Sequence, residues 1–427
     1  MLTAAGPIEG KAVYIEDGII ADVLDADGPL PSGYKSGMVI KCARDHLLAP
    51  CTYNAYTHAA ANAFRVVGGS AASAGASVLD GAEKHIGRGA ARLGALAASI
   101  EMVDAGVCGF LDMSYHYEEV AEAAASIGLR VLVGPLADAW PSPQDIRRRL
   151  AALAVKLKGF QTVSPLLGIY RVAGLGRDTL SELADAARQA GARIGVRASV
   201  DREEVYLVKR STGKFPVELL HEAGVLGEDT VVVCPGWAAS WELSYIAESG
   251  SSVVYCPSLS MASGYGGHIP LSELIEMKVN VGVGTGNPAA VGHLDVLREA
   301  HIGLLLQRYA YWDPALPLAE LLRAASEGSG TILGAAGKVV KGAPADIVVY
   351  DLSSPRALAL SLAPDSTLAY LAGGLSSYYT VIAGRVVYGP EVRDKMLASL
   401  REAYEKLHDI SETLLQAIKT ADSGPNA

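Results

Sequence analysis

Side-chain amides are scarce in this chain. Asn and Gln occur five times each in 427 residues, against nineteen tyrosines, a weak compositional trait of thermophilic proteins. Cysteine is also sparse. The five residues, Cys42, Cys51, Cys108, Cys234 and Cys256, are odd in number, widely scattered and without a CxxC spacing. That excludes a zinc knuckle and reads as reduced thiols in a cytoplasmic protein. No basic cluster offsets the net charge of -10, which argues against a nucleic-acid partner. No uninterrupted apolar run reaches the ~18 residues that cross a membrane. Met1 to Gly10 lacks the basic start and apolar run of a signal peptide.

What the chain does have is apolar bulk. Half of its residues are hydrophobic and 19% are charged, so a large core is available and disorder is expected only at the ends. The length suits a barrel of about 250 residues plus a second domain. Up to residue 46 the pattern is one of short strands, with a hairpin signal in "KAVYIEDGIIADVLDADG" around Asp17-Gly18. From 47 to 335 short apolar runs alternate with amphipathic stretches, the signature of βα units and a parallel sheet. Eight runs stand out: Leu47–Tyr53, Val107–Asp112, Val131–Val133, Val163–Ile169, Arg193–Ala198, Thr230–Cys234, Ser252–Cys256 and Val279–Gly284. Eight such units predict a closed TIM-like (β/α)8 barrel, with its chemistry at the C-terminal strand ends. Strand patterns return in 336–390, at "ADIVVYDL" and "YYTVIAGRVVYG". Residues 1–46 and 336–390 are therefore expected to join as a small β-sandwich domain. Residues 391–419 read as one charged helix, 420–427 as a disordered tail, and "GGSAASAGAS" (68–77) as a flexible loop.

Several segments together carry a family resemblance. "LLAPCTYNAYTH" resembles a first-strand motif ending in His-x-His. "IEMVDAGVCGFLDMSY" resembles a Glu-Met, Gly-Thr-Thr, Asp-Met segment. "RASVDREEVYLVKRSTGKFPVELLHEAGVLGEDTVVVC" resembles the stretch from fifth to sixth strand. "VVYCPSLSMASGYGGHIPLSELIEMKVNVGVGTGNPAAVGHLDVLREA" resembles the Cys-Pro and Gly-Thr-Asp segments, and "KGAPADIVVYDL" with "YTVIAGRVVYG" the closing β segments. The chain thus resembles the amidohydrolase superfamily, in its branch of cytosine-, guanine- and adenosine-type deaminases and triazine chlorohydrolases. That resemblance implies one divalent metal, zinc or iron, which lowers the pKa of a bound water to make the nucleophile.

The resemblance also implies which positions would hold that metal, and most are altered here. The first His of His-x-His falls on Tyr56, while the second is kept as His58. The fifth-strand His falls on Arg197, the sixth-strand His on Cys234, and the eighth-strand Asp on Gly286. The catalytic Glu falls on Val200, and a substrate-contacting His on Tyr170. Gly286 offers no ligating atom, Val200 no acid or base, and Arg197 no lone pair. A guanidinium ~4 Å from a divalent ion is disfavoured by about 8 kcal/mol at an effective dielectric of ~20. His58 and Cys234 alone are too few ligands for a zinc site, and His116 is the nearest recruit.

These readings leave no assigned catalytic residue, metal or cofactor. The counterparts Tyr56, His58, Tyr170, Arg197, Cys234 and Gly286 become candidate binding residues. Tyr53, Tyr115 and Trp237 are further aromatic walls for a planar or anionic small molecule. Alternatively Arg197 pairs with an internal acid, Asp112 or Asp201, and closes the site. His268 and His293 read as polar loop residues, Cys234 as a buried apolar one, and "DREE" (201–204) as a solvated helix start. The expectation is a non-catalytic, amidohydrolase-like protein. Its alternatives are metal-independent chemistry in the same pocket, and a hydrolase acting on non-peptide C–N bonds through an altered or relocated site. A homo-oligomer is implied only by the resemblance.

Overall fold

The computed structural model describes residues 1–3, 6–28, 37–43, 45–138, 142–312, 314–355, 357 and 375–423. Its centre is one sheet of eight strands in sequential order. These are β1 (Thr52–Thr57), β2 (Val107–Asp112), β3 (Arg130–Val133), β4 (Val163–Ile169), β5 (Arg193–Arg197), β6 (Thr230–Val233), β7 (Ser252–Tyr255) and β8 (Val281–Val283). Neighbouring strands pair in parallel throughout. Helices lie between the strands, so β2, β6 and β7 are buried at every residue and read as unbroken apolar runs.

The seam between β1 and β8 is closed largely by side chains. Asn54 Nδ2 donates to Thr285 Oγ1 at 2.8 Å, and Thr285 N donates back to Asn54 Oδ1 at 3.0 Å. Thr57 Oγ1 donates to the Gly286 carbonyl at 2.8 Å, and Gly286 N donates to the Tyr56 carbonyl at 2.9 Å. The result is a TIM-like (β/α)8 barrel.

Strands from both chain ends assemble at the opposite end from β1's terminus. Lys11–Glu16 and Ile19–Asp25 form the hairpin about Asp17-Gly18. His46–Pro50, Ile347–Asp351, Ser377–Ile382 and Arg385–Tyr388 form a four-stranded antiparallel sheet. Ile20 of the hairpin shares an apolar cluster with Ile347 and Val381 of that sheet. Asp346 ties the sheet to the barrel: it accepts from Arg130 Nε at 2.5 Å, Tyr53 Oη at 2.9 Å and Ala383 N at 2.8 Å.

Four local expectations change. The run Leu47–Tyr53 divides at Cys51, because Leu47, Leu48 and Ala49 pair with Tyr350, Val349 and Val348 and only Thr52 onward enters the barrel. A continuous apolar run does not reveal which sheet it joins. Residues 68–77 are not a plain loop: Gly69–Ala74 and Ala76–Ala82 are helices, the second burying Leu79 and Ala82. Alanine's helix propensity together with that docking outweighs the glycines. The C-terminal helix breaks at Ile410 into Pro390–Asp409 and Ser411–Asp422, so 420–422 are helical, while 424–427 lie outside the described residues. Finally, Cys51 and Cys108 are joined by a disulfide, with Cα atoms 5.7 Å apart, leaving Cys42, Cys234 and Cys256 free. Adjacent barrel strands bring the two together, since Thr52 and Val107 are register partners. No helix among the described residues is long and apolar enough to cross a membrane.

The disulfide closes a sequence separation of 57 residues. Its removal in Cys51→Ala/Cys108→Ala is expected to destabilise the fold by about 4 kcal/mol through loop-closure entropy. Denaturant unfolding checks the magnitude. A denatured, unreduced sample should titrate three thiols; five would show that the bridge is absent.

Candidate functional site

The counterpart positions converge on one mouth at the C-terminal strand ends. Tyr56 lies within β1 and His58 directly follows it; Tyr170 follows β4, Arg197 ends β5, Cys234 follows β6, and Gly286 lies beyond β8. Parallel strands starting from the same side of a barrel place these ends together. His58 is fully buried, and its Nε2 hydrogen-bonds Tyr56 Oη at 2.7 Å. Its Nδ1 faces two acids, 3.8 Å from Asp80 Oδ1 and 3.6 Å from Glu83 Oε2.

Asp80 and Glu83 are site residues that the sequence reading missed. Both follow the Gly/Ala/Ser-rich segment, Asp80 within helix Ala76–Ala82 and Glu83 just after it. Asp80 Oδ1 accepts from Asn287 Nδ2 at 2.6 Å, and Oδ2 accepts from Tyr170 Oη. Arg197 Nη1 lies 3.5 Å from Oδ2. Asp80, and not Asp112 or Asp201, is thus the acid beside Arg197. Asp112 instead accepts from Ala59 N and Ser114 N at 2.6 and 2.8 Å. Asp201 caps a helix by accepting from Glu204 N at 2.8 Å. The signal available in sequence was the spacing: two acids three apart share one face of a short helix placed after the first strand.

Arg197 is only 4% exposed. Its Cζ lies 4.1 Å from the Tyr170 ring centroid, and Nη2 donates to Tyr265 Oη at 3.1 Å. Among the described residues its Nε and Nη1 have no hydrogen-bond partner. The void against it measures about 10 Å³ and is bounded by Tyr170, Arg171, Asp201 and Glu204 among others. That is room for one water.

At the eighth strand, a Cβ on Gly286 would lie 2.6 Å from Leu259 Cδ2. Leucine therefore occupies the space into which a side chain there would point. Val200 donates its N–H to Glu204 Oε2 at 3.2 Å, and Val172 N donates to Oε1 at 3.1 Å. Glu204, expected on a solvated helix start, is instead a buried acceptor of backbone groups. Cys234 is buried at φ 53°, and the neighbouring Cys256 thiol is pushed up by burial and then by Cys234.

The other expected members take the following places. Tyr53 serves the Asp346 junction at the far end of the barrel, because β1 begins at Thr52. Tyr115 packs under Lys84 Nζ at 4.7 Å, and Trp237 Nε1 donates to the Tyr265 carbonyl at 2.6 Å. His116 turns to Glu83, its Nε2 lying 3.1 Å from that residue's carbonyl oxygen. His268 sits edge-on to Tyr311. His293 is a buried residue and not a solvated loop one, with Nε2 3.2 Å from Glu299 Oε2 and 3.5 Å from Ser258 Oγ. Among the described residues no group of three or more His, Cys, Asp or Glu side chains is placed to hold a metal ion.

The charges at this mouth constrain one another. Burial, reinforced by Glu83, pushes the Asp112 carboxyl up to about 6, against its backbone hydrogen bonds. Burial pushes the His58 imidazole down, but Asp80, Glu83 and Asp112 outweigh it and the net direction is upward.

An Amidohydrolase family model matches residues 48–387. The chain is similar to 5'-deoxyadenosine deaminase of Methanothermobacter thermautotrophicus, 31% identical over 418 residues that cover 94% of this chain and 93% of that protein. It is similar to 5-methylthioadenosine/S-adenosylhomocysteine deaminase of Pyrococcus furiosus, 29% identical over 392 residues, 88% of this chain and 90% of that one. Among solved structures, a zinc-bound adenosine deaminase from Xanthomonas campestris superposes with a TM-score of 0.78 at 21% identity, covering 94% of both chains. A zinc complex of atrazine chlorohydrolase from Arthrobacter aurescens gives 0.77 at 17% identity, covering 92% of this chain and 95% of that one. These two likenesses concern the fold.

Two outcomes follow from this geometry. Arg197→Met removes the cation beside the buried Asp80 carboxylate and is expected to lower stability by about 3 kcal/mol. Adding Asp80→Asn should recover much of that loss in denaturant unfolding, whereas strictly additive losses would show that the two residues do not interact. The second outcome concerns pH. The folded state holds the Asp112 proton more tightly than the unfolded chain does, so stability from this group is present at low pH and lost as pH rises from about 4 to 6. His58, also raised, changes stability in the same direction as it deprotonates. Asp112→Asn should therefore flatten a loss of about 3 kcal/mol seen in wild type between those limits; identical pH profiles would remove Asp112 as the cause.

Proposed function

We propose, from the premise that this chain belongs to the amidohydrolase family, that it is a deaminase-like member whose barrel mouth no longer carries out metal-dependent hydrolysis. Metal chemistry in this superfamily needs a divalent ion held by imidazoles and a carboxylate, with an acid/base residue beside it. The residues here do not fit such an ion. Its fifth-strand neighbour would be the guanidinium of Arg197, which is always charged and donates only. The eighth-strand carboxylate position is Gly286, and Leu259 fills the space beside it. His58 uses Nε2 on Tyr56 and turns Nδ1 toward Asp80 and Glu83. The single observation that carries the reading is Arg197 itself, buried at the end of β5 and set against Asp80, Tyr170 and Tyr265.

The role that remains is binding or structural. The mouth combines a guanidinium with aromatic walls, which suits a small anionic or planar molecule. A net charge of -10 without a basic cluster speaks against nucleic acid. Self-association belongs to the proposal only through the family resemblance. The Cys51–Cys108 bridge removes the argument from reduced thiols for a cytoplasmic location.

A second reading has its own support. The two deaminases resemble this chain over 94% and 88% of its length, so a hydrolase of non-peptide C–N bonds, working through an altered site, is the alternative. One experiment separates the two. Purified protein is analysed for zinc and iron, then assayed with 5'-deoxyadenosine, 5-methylthioadenosine and atrazine. Substoichiometric metal and no turnover are expected, for wild type and for Gly286→Asp, whose new side chain collides with Leu259. Stoichiometric metal with turnover that His58→Ala abolishes would establish the second reading instead.

A further inference from the structure

The donors around Asp80 all belong to the barrel, whereas Asp80 itself does not. Tyr170 follows β4, Arg197 ends β5, Asn287 lies beyond β8 and His58 follows β1. Between them they address both oxygens: Asn287 Nδ2 and His58 Nδ1 lie 2.6 and 3.8 Å from Oδ1, and Tyr170 Oη and Arg197 Nη1 face Oδ2. Convergent donors on two coplanar oxygens make a receptor for a carboxylate. The receptor is also under-used. Arg197 is nine-tenths buried or more, yet among the described residues its Nε and Nη1 have no hydrogen-bond partner, an arrangement rare enough in folded proteins to call for an explanation.

The acid arrives on a separate element. Helix Ala76–Ala82 leaves the barrel after Gly68 and Gly75, both in the left-handed region at φ 52° and 77° with open space where a Cβ would stand. Those two positions suit a hinge. The far side of the helix meets the C-terminal helix, where a Cβ on Gly81 would lie 3.6 Å from the Ala421 Cβ. Glu83 supplies a second anchor, accepting from His116 N at 3.4 Å. A short strap thus carries one carboxylate into a cradle built by four strands.

We infer that the barrel mouth is a carboxylate-binding site that the chain's own Asp80 fills, and that a small external carboxylate takes when the strap is displaced. The inference rests on the proposed non-catalytic role and names the chemistry its pocket selects. A planar monoanion fits better than a tetrahedral dianion, because Glu83 and Asp112 already stand beside the cradle and oppose further negative charge.

Acetate is the group that Asp80→Ala removes, so it is the probe. In that variant a sodium acetate series, set against equal sodium chloride, should raise the thermal midpoint by roughly 1–3 °C and saturate. Asp80→Ala/Arg197→Met should not respond, and inorganic phosphate should act more weakly than acetate. In wild type, acetate should speed tryptic cleavage after Lys84 or Arg88, because displacing Asp80 frees the strap. This second measurement holds even where the variant fails to fold. No acetate effect in either measurement overturns the inference. A response that survives loss of Arg197 overturns the cradle, and a stronger response to phosphate overturns the carboxylate assignment. None of these readouts is turnover, so metal-dependent deamination would defeat the functional reading without deciding this one.

Discussion

A guanidinium buried at the end of a barrel strand cannot give up its charge, and much of the mouth can be understood as a response to that constraint. Arg197 has Tyr170 beneath its plane, Tyr265 at one nitrogen and the Asp80 carboxylate beside another. Asp80 in turn requires a helix to deliver it, and that helix packs on Ser411–Asp422 at the C-terminus. A buried pair of this kind adds little net stability, because desolvation offsets most of the attraction. Its effect is on geometry: once the pair exists, separating its members is costly, so strap, barrel and C-terminal helix are held in one arrangement.

The same barrel shows why family membership and activity are separate conclusions. Closure through Asn54, Thr57 and Thr285, and the tie of Asp346 to Arg130 and Tyr53, depend on side chains other than Arg197, Asp80 and His58. Such a framework survives whatever the mouth contains. Chemistry depends on a handful of side chains at the strand ends, and a fold hosts many different sets of them. Here the set is one guanidinium, several buried acids and a wall of tyrosines.

Backbone hydrogen bonds help to hold the buried acids at this end of the barrel. Asp112 accepts two backbone hydrogen bonds, yet burial, reinforced by Glu83, outweighs them and pushes its carboxyl up to about 6. Glu204 is held above the usual carboxylate range by burial and accepts two backbone donors. Each acid is thus fixed to the end of a strand or to a loop.

Much of the architecture was legible in the sequence, because it is carried by local periodicity. Short apolar runs separated by amphipathic stretches specify a parallel barrel, and Asp17-Gly18 specifies a hairpin, since both patterns follow from side-chain alternation within a few residues. The residue types at 56, 197, 234 and 286 were read directly, because a side chain's capacity to ligate is a property of its own atoms; their correspondence to family positions came from the resemblance. Tertiary structure alone decided which partners these residues found. Asp80 lies 117 positions from Arg197 and 207 from Asn287, in a glycine- and alanine-rich segment with no periodicity strong enough to announce a helix. Cys51 and Cys108 read as isolated thiols until adjacent strands placed them side by side. Leu47–Ala49 and Thr52 onward look like one strand until each half finds a different sheet. In every such case the deciding contact is long-range, and a sequence pattern a few residues wide contains no information about what the rest of the chain will bring to it.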